Sequence, residues 1–317
     1  MLSIILPCYN AEATVQRCLS SVYGQSVPPA LFEVIAVDDG SEDATPHILR
    51  DNAAKYGNLK VISQQNQGVS AARNVALGAV SGRFTIFLDA DDALCEHTLG
   101  ALVDACSLSD DDLIICQSFC GQAEHYAWCT RFDPSTSYTP IQLIERGYIR
   151  GSACGVAFRT QMLTDHNLRF VGGLHYGEDT QFVLETMLFC RTISFWLIPL
   201  YQVIGATVSA SRTFTPARIQ KHVEGLSRLF CHIEELPAPS GRIDLLAYMR
   251  YLPLSVLVAD TLNTPGAGLS LLHRLGAHRF CSLLSVPRAT PFLRRKIQLL
   301  RLSFSIYYLS VKLKLRK

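Results

Sequence analysis

Residues 86–92 read IFLDADD. An apolar run of the kind that fills a sheet core ends in Asp89, Asp91 and Asp92. Carboxylates this close repel one another unless a positive partner joins them. A hard divalent cation meets that need. Mg2+ or Mn2+ is held by one or two carboxylates, and phosphate oxygens of a substrate complete its shell. The plain alternative is a helix start, because aspartates cap helix N-termini and complement the helix dipole. For one D-x-D alone the two explanations are evenly matched. Asp38-Asp39-Gly40-Ser41 has the same ambiguity, with a turn as its alternative. Two acidic strand ends brought to one sheet edge are a stronger signal than either alone.

The elements that must position these residues are legible in the alternation of the first hundred or so residues. SIILP (3–7), FEVIAVDD (32–39), LKVISQ (59–64), RFTIFLD (83–89) and DDLIICQS (111–118) read as strands. Helical spacing fills the intervals Ala11 to Tyr23, Asp43 to Tyr56, Val69 to Val80 and Glu96 to Cys106. Nearly all-apolar strands separated by helices predict an α/β fold with a mostly parallel sheet flanked by helices. Ligands bind such sheets beyond the carboxyl ends of the strands. The first strand delivers Pro7, Tyr9 and Asn10 there, the second Asp38 and Asp39, the fourth Asp89 and Asp91.

Beyond residue 120 the alternation weakens. A short helix is expected near 141–147, a strand entering a helix at 151–160, and a Gly-rich loop running into a helix from Glu178. Thr192 to Ser211 carries no charge and has about the length of a membrane span. Its Pro199, Gly205 and β-branched residues predict two strands joined by a turn instead. Residues 216–229, 244–257 and the final 25 or so read as helices. The predicted organisation is a domain over 1–211, in two halves, one to about 118 and the other over 119–211. A helical region over 212–317 follows.

Composition adds a second theme. Nearly half of the 317 residues are hydrophobic, enough for a sizeable core. The net charge of +2 hides an asymmetry. From Thr261 onward there are 11 Lys and Arg and no acidic residue, whereas the first 260 residues hold 18 basic and 27 acidic ones. Leu293, Ile297, Leu300, Phe304, Tyr307 and Val311 recur at spacings of three and four among these charges, predicting a basic amphipathic helix over about 292–315. Such a helix suits a peripheral membrane surface; docking on the first domain or dimerisation are its alternatives. The acidic body speaks against nucleic acid as a partner. Eleven scattered cysteines without a C-x-x-C pair exclude the usual zinc pattern and, with an N-terminus that reads as a strand, suit a reducing cytoplasm.

Taken in order, SIILPCYNAEATVQRCLSSV, EVIAVDDGSEDAT, NQGVSAARNVAL and GRFTIFLDADD closely resemble the donor-binding half of glycosyltransferase family 2. GEDTQF (177–182) resembles that family's acceptor-side motif. The resemblance implies a GT-A fold and metal-dependent, inverting transfer of a sugar from a nucleotide donor, by family habit a UDP-sugar. The acceptor would be a glycan or a lipid-linked glycan in surface polysaccharide synthesis, at the inner face of the cell membrane. Pro7, Tyr9, Asn10 and Glu12 then form the wall and rim of the nucleotide pocket, and Asp39 accepts a hydrogen bond from the base. Asn66, Gly68 and Arg73 flank nucleotide and sugar; Arg73 neutralises Asp89 or a phosphate, or is an ordinary helix-surface charge. Asp89 and Ala90 lie on the ribose side, and Asp91, with Asp89, holds Mn2+ or Mg2+. Asp92 is left between the metal and a helix start. Asp179 matches the base, with Glu178 beside it as substitute or acceptor contact. Arg212 is a candidate for the diphosphate, while His175 has no role beyond proximity. Two other functions compete. A dinucleotide oxidoreductase needs G-x-G-x-x-G after the first strand, where this chain has P-C-Y-N-A-E. A non-catalytic nucleotide-sugar-binding or membrane-associated scaffold would lack part of the catalytic set, and none is missing.

Overall fold

The computed structural model describes residues 1–119, 132–146, 148, 152–174, 177–204, 215–237, 243–284, 291–302 and 304–315. Its strands are β1 (Leu2–Cys8), β2 (Phe32–Asp38), β3 (Leu59–Ser63), β4 (Phe84–Phe87), β5 (Ala93–Leu94), β6 (Leu113–Phe119), β7 (Val156–Arg159) and β8 (Ile193–Gln202). Among the described residues they form one eight-stranded sheet in the order β3-β2-β1-β4-β7-β6-β8-β5. β1 pairs in parallel with β2 and β4, β2 with β3, and β6 with β8. β7 lies antiparallel between β4 and β6, and β5 lies antiparallel on β8. The sheet is therefore mostly parallel, as the alternation predicts, with two reversed strands.

All seven residues of β1 are buried, as a parallel strand covered on both faces requires. On one side α1 (Val15–Tyr23) buries Val15, Cys18, Leu19 and Val22, a stripe at helical spacing. The helices α2 (Thr45–Lys55), α3 (Val69–Leu77) and α4 (Thr98–Leu108) complete the cover. The opposite edge of the sheet is tied by Glu33, whose Oε1 accepts from the Ser3 hydroxyl and from the backbone N–H groups of Ser81 and Gly82. Gly82 is required there, since a Cβ would stand 2.6 Å from the Ser3 nitrogen.

Further along lie α5 (Pro140–Glu145), α6 (Thr160–Asp165), α7 (Glu178–Phe189), α8 (Pro216–Glu235), α9 (Ile243–Asn263), α10 (Leu269–Arg274), α11 (Pro291–Leu302) and α12 (Phe304–Leu315). The chain divides into two compact units. The first holds 1–139, 150–172 and 189–207; the second holds 140–149, 173–188 and 208–317. The division differs from a single cut at 211, because α5 packs on α9 and the Glu178-Asp179 segment belongs to the second unit.

In the second unit a buried ion pair joins α8 to α9, with Arg218 Nη2 3.1 Å from Asp260 Oδ2. Residues 245–263 of α9 are the one described helix long and apolar enough to cross a membrane, yet more than half of that stretch is buried. The charge-free stretch 192–211 forms the ten-residue β8; residues 205–211, where a second strand was expected, lie outside the described residues. The predicted helix over 292–315 is helical over Pro291–Leu302 and Phe304–Leu315, with residue 303 outside the described residues. Ile297, Leu300, Phe304 and Tyr307 of the predicted stripe are buried, and the Tyr307 hydroxyl meets Tyr251 and Ser255 of α9 at 2.8 and 2.9 Å. Four of the six stripe residues are thus covered within their own unit.

Candidate active site

The carboxyl ends of β1, β2 and β4 and the N-terminus of α3 enclose a cavity of about 570 Å3. Pro7, Tyr9, Asn10, Asp39, Asn66, Gly68, Asp89, Ala90 and Asp91 all line it. Tyr9 stands half exposed with its ring available to a flat ligand. Glu12 and Arg73 lie outside the lining.

Glu12 knits loops together. Its Oε2 accepts the Ala44 N–H at 2.9 Å, and its own N–H donates to Asp43. Asn10, in the left-handed region at φ 46°, accepts the Glu42 N–H and donates its own to Ser41. The Ala11 N–H donates to Thr45 Oγ1 at 2.8 Å. Five side-chain bonds thus fasten the loop after β1 to the loop after β2, which makes a rigid rim.

Asp39 is buried, and its oxygens hold the segment before α3. Oδ1 accepts from Gln64 Nε2 at 2.7 Å and Gln67 N at 2.9 Å, and Oδ2 accepts from Gly68 N at 2.8 Å. A carboxylate has about four acceptor positions, so room for a further donor lies on the Oδ2 side. The neighbouring turn needs glycine: Gly40 has φ 74°, and a Cβ there would meet the Asn66 nitrogen at 2.8 Å.

The acidic triplet does find a positive partner in the protein. Arg73, 3% exposed, donates from Nη2 to Asp89 Oδ1 at 2.9 Å, and its guanidinium lies 5.1 Å from the centre of the Phe170 ring. On its other oxygen, Asp89 accepts from the Cys154 thiol at 3.6 Å. The buried Cys18 thiol points to the Asp89 carbonyl at the same distance. Burial, then the nearby Cys8 and the aspartates, pushes the Cys18 thiol well above its ordinary range. It remains a neutral donor and adds no charge to the cluster. Arg17 donates to the Asp91 carbonyl at 2.8 Å.

Neither Asp91 nor Asp92 starts a helix; α4 begins only at Thr98. The Asp92 N–H closes a turn onto the Asp89 carbonyl, and the buried Asp92 side chain accepts the Ile204 N–H at 3.1 Å beside β5. One carboxylate oxygen from each of Asp89, Asp91 and Asp92 still falls within 4.8 Å of the others. An all-oxygen set of this charge fits Mg2+ or Mn2+ rather than a softer metal. Asp91, on the cavity wall, and Asp89 would hold the ion.

Glu178 and Asp179 form the first turn of α7 in the second unit, both partly exposed, after Gly177 at φ 82°. His175 and Arg212 lie outside the described residues.

Residues 3–160 match the family model "Glycosyl transferase family 2". The chain belongs to glycosyltransferase family 2. Bacillus subtilis EpsH is 32% identical over 211 residues, which are 63% of this chain and 59% of EpsH. The chain therefore spans under two thirds of that relative. The fold has the GT-A form. Staphylococcus aureus TarS 1–349, solved in complex with UDP-GlcNAc, superposes with a TM-score of 0.65 at 21% identity, over 97% of this chain and 89% of that one. The mannosyltransferase PcManGT from Pyrobaculum calidifontis, in complex with GDP-Man and Mn2+, gives 0.57 at 16% identity, over 99% and 86%.

Reading the chain as a family 2 member leaves several site features that the motifs did not announce. Cys154 reaches Asp89 across 65 positions, Gln64 supports Asp39, and Arg17 secures the Asp91 carbonyl. Each is a common residue type acting through a partner remote in the chain, so spacing alone carries no signal for it.

Proposed function

We propose that this protein is a metal-dependent inverting glycosyltransferase that moves a sugar from a nucleotide sugar, a UDP-sugar, to a hydroxyl of a glycan or lipid-linked acceptor in surface polysaccharide synthesis. The observation that carries the reading is the cavity at the strand ends. It combines an exposed aromatic ring, a buried acceptor carboxylate and an acidic oxygen cluster. Those are the needs of a base, a ribose and a metal-bound diphosphate. Tyr9 stacks on the base, Asp39 offers its remaining acceptor position to a base N–H, and Asp89 meets the ribose. Asp91 and Asp89 would hold a Mg2+ or Mn2+ ion, which would supply stabilisation of charge on the departing diphosphate. Asp179 takes the proton from the acceptor hydroxyl as that oxygen bonds to the anomeric carbon and the nucleotide leaves. Glu178 orients the acceptor.

The test is a panel of UDP- and GDP-sugars, with binding and turnover measured with and without Mn2+. Asp91→Ala is expected to abolish metal-dependent binding. Asp179→Asn keeps binding and loses turnover by about 10^2-fold or more. A chain that binds a nucleotide sugar but never turns it over, wild type included, is a scaffold rather than an enzyme.

The proposed location is the cytoplasmic face of a membrane. With Ile297, Leu300, Phe304 and Tyr307 of the stripe buried, attachment rests on the basic side chains that follow Thr261, among them the exposed Arg295 and Arg301. Anionic headgroups are their natural partner.

A further inference from the structure

We propose that Arg228 and His232 of α8 are positioning residues for the Glu178-Asp179 pair, holding the chain on both sides of it. The proposal rests on the reading of Asp179 as the base. Gly225, Arg228 and His232 follow one another at spacings of three and four, so they share one face of α8. That face meets the acidic motif's own segment three times. Gly225 lies beneath Leu174, with 3.5 Å between a Cβ built there and Leu174 Cδ2. Arg228 donates to the Gly173 carbonyl at 3.1 Å. The fit at Gly173 is close: its φ is 72°, and any Cβ would fall on the Arg228 guanidinium. Beyond the motif, His232 Nε2 is 2.7 Å from Glu185 Oε2, and the same carboxylate accepts from Gln181.

Glu185 is 5% exposed, on the helix that Glu178 and Asp179 open. A buried carboxylate is tolerated only with partners, and a well-packed apolar pair would serve stability as well. Directional bonds add orientation. Asp179 sits between the Arg228 anchor at 173 and the Glu185 anchor at 185, so its carboxylate is placed from both ends. A base needs such support, because displacement of about 1 Å can cost 10^2-fold in rate.

The test compares Arg228→Ala, His232→Ala, His232→Gln and the double alanine variant with wild type and Asp179→Asn. The donor is whichever of UDP-glucose, UDP-galactose, UDP-N-acetylglucosamine and GDP-mannose is hydrolysed fastest, with water as acceptor. Each alanine is expected to lower kcat about tenfold with donor KM within twofold of wild type, and the double variant more. His232→Gln, which can still donate to Glu185, recovers most of the rate. Hydrogen exchange at residues 173–182 rises in the alanine variants, while that at 64–69 stays unchanged. An inactive Asp179→Asn beside alanine variants of full kcat overturns the positioning role alone. A fully active Asp179→Asn overturns the base and the positioning role together.

Discussion

At the scale of single residues, the site works by giving each carboxylate a separate set of partners. Asp39 spends three acceptor positions on the Gln64–Gly68 segment. Asp39→Asn keeps shape but turns an N–H2 group toward at least one of those donors. A stability loss of about 1–3 kcal/mol is expected, with weaker nucleotide binding, measured by thermal melts and calorimetry. Unchanged binding in a destabilised variant would confine Asp39 to holding the loop. Arg73→Ala strips Asp89 of its cation and Phe170 of its guanidinium cover. Because the Asp89 side chain is 36% exposed, the loss is expected at about 2 kcal/mol, below that of a fully buried pair, and urea unfolding measures it. The aspartates were legible as a site because an apolar strand ending in charge has few structural excuses. What the residues could not tell was which cation answers them: Arg73 was readable equally as a helix-surface charge, a phosphate ligand or a partner of Asp89. Only the fold, which puts α3 against the end of β4, brings it to Asp89.

At the scale of elements, β1 to β4 and α1 to α3 were plain in the sequence, since the buried strands β1, β2 and β4 leave nearly unbroken apolar runs and the half-buried β3 falls between two helical stretches. The two-residue β5 leaves no such trace. β6 was legible as a strand, but its route to the sheet through an antiparallel β7 was not, because strand direction depends on pairing and not on composition. α7 and α8 illustrate the same limit: both helices were expected, their shared His232–Glu185 bond was not. That bond has a pH consequence. The hydrogen bond that His232 donates to Glu185 raises the His232 pKa, and partial burial opposes it without prevailing. A raised folded pKa means the pair's contribution is fully present below the unfolded value of about 6.5 and is lost as pH rises through the folded value. Wild-type thermal stability should therefore fall from pH 6 toward alkaline pH more steeply than that of His232→Gln. Parallel pH profiles of the two proteins would refute this.

At the scale of the whole molecule, the charge asymmetry of the chain yields the prediction that belongs to its surroundings. Vesicles containing anionic lipid should bind the protein at 0.1 M salt and release it by about 0.5 M, with neutral vesicles binding little. Arg295→Glu combined with Arg301→Glu should weaken binding at least fivefold in a sedimentation assay. Retention at high salt would instead indicate apolar insertion. The sequence displayed the tail's stripe and charges but not their division of labour, because an amphipathic pattern is the same whether its apolar face meets lipid or α9. The reversed β7 has a last consequence, for synthesis. The edge of β4 away from β1 is covered by β7 alone. Roughly 70 residues separate Phe87 from Val156, so at about 5–20 residues per second a ribosome leaves that edge bare for several seconds. During that interval the nascent chain presents the strand FTIF, flanked by a folded half-sheet, to any other unpaired strand. Added chaperones that bind nascent chains should raise soluble yield for this reason, even though β7 pairs with Phe84 and Thr85 in the finished protein.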